Sequence, residues 1–119
     1  MDVTISAPVA ITEDPEKVIT AILNIFPEAS VELQEQLLVA NTSCLNQFKG
    51  LLRNQRIQNT ASQVLHAAYH GDSLSFDLHK QAAYVGVLNF AVVDQPLGNL
   101  HVTIYDTNIE SIIAWLTEV

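Results

Sequence analysis

Between Leu45 and Ala68 the apolar residues recur at helical spacing in two sets that cannot lie on one face. Leu45, Phe48 and Leu52 form the first set, and Ile57, Ala61, Val64, Leu65 and Ala68 the second. At about 100° per residue, the second stripe points nearly opposite the first on a continuous helix. A straight helix here would need an apolar partner on both sides. A break near Asn54–Gln55 removes the conflict, so the spacing predicts two packed helices, Leu45–Arg53 and Ile57–His70. Asn41-Thr42-Ser43 offers capping residues before the first, and Gly71 suits the position just past the second.

The flanking segments read as strands with one dry face. Val3, Ile5 and Ala7 alternate with polar neighbours up to Pro8, and Leu74, Phe76 and Leu78 alternate with Ser75, Asp77 and His79. Val31–Leu33 and Leu37–Ala40 form a hairpin around Gln34-Glu35-Gln36, whose turn type the sequence leaves open. Lys80–Tyr84 reads as a single helical turn before Gly86, Val87–Val93 as a strand, Asp94–Asn99 as a loop and Leu100–Tyr105 as a strand. Asp14-Pro15 opens a helix over Pro15–Phe26 that Pro27 ends. Thr107 and Glu110 have capping-box spacing before a terminal helix, Asn108–Leu116.

Alternating dry and wet strand faces suit an antiparallel sheet backed by helices. The predicted fold is therefore a two-layer α+β domain over residues 1–119, a mainly antiparallel sheet with helices packed on one face. Its predicted core includes Phe48, Leu52, Ile57, Val64, Leu65, Phe76 and Ile112. No apolar run approaches the roughly 20 residues of a membrane span. Met1-Asp2-Val3-Thr4 lacks the basic flank of a signal peptide, and the expected compartment is the cytoplasm. Cys44 reads as a small buried residue at a helix start.

The net charge of −8 argues against a protein that coats nucleic acid. Its distribution is uneven. Residues 1–41 carry seven acids and one lysine, 42–90 four cations and two acids, and 91–119 four acids and no cation. The middle third is a basic island in an acidic chain. Lys49, Arg53 and Arg56 fall at spacings of four and three beside the first apolar stripe. They serve either solubility, with their stems covering the apolar face, or contact with phosphates.

The chain has no Gly-rich phosphate loop, nucleophile elbow or Cys/His cluster. His66 and His70 are four apart but lie opposite the apolar stripe with no third ligand, and Cys44 has no assignable base. No catalytic residue, metal site or cofactor is assigned, and the chain reads as a non-enzyme.

Four segments in order, APVAITEDPEKVITAILNIFP, LNQFKGLLRNQRIQNTASQVL, HKQAAYVGVLNF and PLGNLHVTI, resemble an uncharacterised archaeal family predicted to bind RNA. The resemblance runs over essentially the whole chain. It implies an α+β fold similar to the large-subunit ribosomal protein that holds 5S RNA. The matching positions are Arg53, Gln55, Arg56, Lys80, Gln81, Asn89 and Phe90. Departures are Asn46, Asn54 and Ser62, where a cation is expected, and His79, where the family looks to prefer asparagine.

Two functions stay open. One is an RNA-binding module with Lys49, Arg53, Arg56 and Lys80 on phosphates and Gln81 and Asn89 as polar neighbours. The other is an interaction domain whose sheet edge or apolar face docks a protein, including a second copy of the chain as a homodimer.

Overall fold

A computed structural model describes residues 1–91 and 97–118. Its elements in chain order begin with β1 (Asp2–Pro8), α1 (Pro15–Ile25), β2 (Ser30–Gln34) and β3 (Leu37–Thr42). The helical pair α2 (Asn46–Asn54) and α3 (Gln58–Ala68) follows, then β4 (Tyr69–His70), β5 (Ser73–Leu78) and α4 (Lys80–Tyr84). Strand β6 (Leu100–Tyr105) and helix α5 (Ile109–Leu116) complete the set. The strands form one sheet in the order β2-β3-β1-β6-β5-β4, with every neighbouring pair antiparallel.

The period-two pattern fixes which face is covered. Ile5 pairs with Ala40 and Val102, and Val102 with Phe76; all four side chains are buried under the helices. The next row, Asn41, Thr4, Thr103 and Ser75, faces the open side and is linked by cross-strand bonds. A slip of one residue would exchange the two rows, so burial locks the register. The expected α+β architecture, an antiparallel sheet with helices packed against it, is what the structure has. No helix among the described residues is long and apolar enough to cross a membrane.

The helix break falls where the stripes change phase. Helix α2 ends in a Schellman motif: the Ile57 amide donates to Leu52 O at 3.1 Å and the Arg56 amide to Arg53 O at 3.1 Å. The residue that turns the chain is Arg56, with φ of 56°, a conformation usually left to glycine. Leu52 is buried, and Ile57 packs partly against the same core. All four phenylalanines, Phe26, Phe48, Phe76 and Phe90, follow one another at centroid spacings of 5.9, 5.6 and 5.7 Å. They join α1, α2, β5 and the segment after α4 in one aromatic chain.

Several local expectations are corrected. Helix α3 stops at Ala68; Tyr69 and His70 turn back onto β5, and Gly71, φ 62°, serves that hairpin instead of a helix end. Val87–Ala91 is not a strand: Leu78↔Phe90 is an isolated bridge, and residues 92–93 of the expected strand and 94–96 of the expected loop lie outside the described residues. Asn108, not Thr107, caps α5, because its side chain accepts from the Ser111 amide at 3.2 Å. Asn41 and Thr42 belong to β3, and α2 starts from Leu45 without a side-chain cap. Cys44, Ile57, Val64 and Ile112 are half-buried, not fully buried.

Candidate nucleic-acid interface

The chain's five cations divide by what their side chains already hold. Lys80 is 3% exposed. Its ammonium donates to Pro8 O at 2.7 Å, Leu97 O at 2.5 Å and the Glu13 carboxylate at 3.2 and 3.3 Å. Those acceptors use the donors an ammonium has. Glu13 in turn accepts from the Ala10 amide at 2.9 Å, so one buried pair ties α4 to the end of β1 and to the loop before α1. The structure thus places Lys80 at the buried floor of the cavity lined by Lys17, Gln81 and Tyr84, with its ammonium already held by protein acceptors.

Lys49 is also engaged. Its ammonium donates to Trp115 O, in the last turn of α5, and lies 4.8 Å from the Trp115 ring centroid. A cation at the negative end of a helix dipole and over an indole ring is favoured on both counts. The further contact to Glu118 at 3.8 Å is exposed and contributes little. Lys49 pins α5 to α2.

Arg53 and Arg56 are exposed, and among the described residues neither guanidinium has a partner. Both sit at the α2–α3 corner, which the left-handed turn at Arg56 creates. Gln55, between them, faces the other way. Its amide donates to Leu88 O at 2.9 Å and accepts from the Leu88 amide at 2.8 Å. This two-point clamp fastens the corner to the segment after α4 and sets the exposed Asn89 beside it. Phe90 packs edge-on to Phe76 at 5.7 Å and serves the core.

Gln81 is exposed on α4 and lines a cavity of about 310 Å³ with Lys17, Tyr84, Thr12 and Glu13. His79 caps α4, its Nδ1 accepting from the Ala82 amide at 3.3 Å. An asparagine could accept there equally well, so this departure from the family pattern changes no surface chemistry. His66 bonds within α3 while His70 lies in β4, so they do not form a helical pair. The structure puts Arg53 and Arg56 at one corner, with Asn89 next in sequence to the Leu88 that Gln55 grips, and leaves Gln81 on the α4 flank. The sequence pattern does not single out Lys17 or Tyr84; a lysine inside an amphipathic helix and a tyrosine ending a short one carry no local signal.

A family model described as RNA binding matches residues 2–105. A UPF0201 protein of Metallosphaera sedula is 34% identical over 96% of this chain and 85% of its own length. UPF0201 protein PH1010 of Pyrococcus horikoshii is 35% identical over 97% and 88%. The crystal structure of a UPF0201 protein from Methanococcus jannaschii superposes with a TM-score of 0.90 at 38% identity, covering 98% of this chain and 99% of that one. The chain therefore belongs to the family described as RNA binding, alongside these archaeal UPF0201 proteins.

Proposed function

We propose that this protein binds RNA by contacting phosphates at the α2–α3 corner, through Arg53 and Arg56, with Asn89 and the more distant Gln81 as polar neighbours. One observation carries the reading: the left-handed position that ends α2 holds an arginine. A side chain there costs roughly 1–2 kcal/mol relative to glycine, and among the described residues the Arg56 guanidinium has no partner that offsets it. Such strain points to a demand outside the fold. Lys49 and Lys80 drop out of the patch in this proposal and serve the structure instead. The same proposal makes the chain a single non-enzymatic cytoplasmic domain. It also keeps the likeness to the 5S-RNA-holding ribosomal protein that the family resemblance implies.

Titration of several unrelated RNAs against wild type, Arg53→Ala and Arg56→Ala tests this. Both variants should weaken binding by similar factors for every sequence, because phosphates carry no base identity. Unchanged affinity in both variants would rule the corner out. A second reading, a homodimer through the edge strand β2, draws on exposed Leu33 at 47%. Sedimentation of free wild type as a dimer that Leu33→Lys dissolves would favour it.

A further inference from the structure

We infer that the RNA is single-stranded, and that the segment from Tyr84 to Asn89 is the platform on which its bases rest. This deepens the RNA-binding reading and rests on it. The platform's backbone is fastened at both ends by side chains from other elements. Asn24 on α1 donates to Ala83 O at 3.0 Å and to Tyr84 O at 2.9 Å. Gln55 grips both backbone groups of Leu88. Between these two clamps the side chains turn outward: Tyr84 is 42% exposed, Val85 70% and Val87 44%. A segment held this firmly while presenting apolar groups to water resembles a recognition surface more than a loose connection.

Charge identifies the occupant. Two of the five cations are held inside the fold, and among the described residues the other three, Lys17, Arg53 and Arg56, are exposed without partners. All three sit on elements that are fastened to the platform. Lys17 shares a cavity wall with Tyr84, where Glu13 is already paired with Lys80 and Asp14 caps α1, and Arg53 and Arg56 lie within two residues of Gln55, which holds Leu88. Cations on both sides of an apolar, aromatic strip suit a chain with phosphates along its edge and bases along its face. An A-form duplex keeps its bases stacked inside and shows mainly phosphates and 2′-hydroxyls, so it has no use for Tyr84. A single strand can lay an unstacked base on that ring.

The test uses a labelled mixed-sequence RNA of about 12 nucleotides, a length within the reach of one small fold, alone and annealed to its complement. The wild-type chain should bind the single strand more tightly than the duplex. Tyr84→Ala should weaken single-strand binding at least about fivefold, the low end for losing one stacked base. Its salt dependence should stay unchanged, while Tyr84→Phe keeps the wild-type affinity. Because Asn24 grips the Tyr84 carbonyl, the alanine variant retains the clamp, and its thermal midpoint checks that it folds. Lys17→Ala should instead make the salt slope shallower by about 0.7. Equal binding of duplex and single strand, or wild-type affinity in Tyr84→Ala, overturns this inference and leaves the phosphate reading standing. No binding of either form at low salt defeats both. Self-association of the wild type that Val85→Asp abolishes would give the platform to a second copy and overturn the inference too.

Discussion

Arg56 shows how one residue can carry a cost in the fold and a use outside it. Glycine at the same position relieves the left-handed strain but gains freedom in the unfolded chain, so Arg56→Gly should raise stability by a net of about 0.5–1 kcal/mol while weakening RNA binding. Denaturant midpoints and RNA titrations on one protein preparation check both halves; a lower midpoint would mean that Arg56 makes a stabilising contact. Lys80 is the opposite case. Lys80→Ala strands the Glu13 carboxylate in a nearly closed site, with a cost of roughly 3–5 kcal/mol. A double variant, Lys80→Met with Glu13→Leu, should lose less than the two single changes combined, as a double-mutant cycle will read. Asp106 adds a pH dependence. The Asn108 amide holds its carboxyl below the ordinary value; desolvation opposes this, and the terminal ammonium and the Thr107 amide add to the lowering. Its contribution is present above about pH 4, the unfolded value, and is lost as pH falls through the lower folded value. Asp106→Asn should flatten the acid side of the stability profile, and an unchanged acid limb would contradict this.

At the scale of elements, the α2–α3 break was readable because two apolar stripes out of phase leave a straight helix no workable burial. The strands β1 and β5 were readable because Val3 and Leu74 head clean alternations with one dry face, and β6 because it follows the loop as a further strand pattern. The end of α3 was not. Tyr69 and His70 continue the sequence smoothly, and only pairing with Leu74 and Ser73 pulls them into β4. The fates of Lys49 and Lys80 were hidden for a related reason. Nothing near Lys80 in sequence announces Pro8 O or Glu13, and nothing near Lys49 announces Trp115. Cations four and three residues apart look like a patch until the tertiary fold claims some of them. Gln55 reads as a polar surface residue until its clamp on Leu88 is seen. Gln55→Ala should therefore speed hydrogen exchange at the Leu88 amide and cost about 1–3 kcal/mol, since a backbone pair loses its partner. Slow exchange retained at Leu88 would mean that the segment is fastened by something else.

Over the whole molecule, an acidic chain with a net charge of −8 can bind RNA only if it presents a restricted face. The open side of the sheet carries Glu32 and Asp77, with Asp77 paired to His101 at 2.5 Å, and would repel a phosphate backbone. The Lys17, Arg53 and Arg56 flank would attract it. The salt dependence of affinity counts those contacts directly, because each neutralised phosphate of a single strand contributes about −0.7 to the slope of log affinity against log salt. Wild type should give a slope of about −2, and Arg53→Ala with Arg56→Ala together about −0.7, with folding confirmed by an unchanged or higher thermal midpoint. A double variant with the wild-type slope, or a wild type whose binding ignores salt, would contradict the assignment of RNA to this corner.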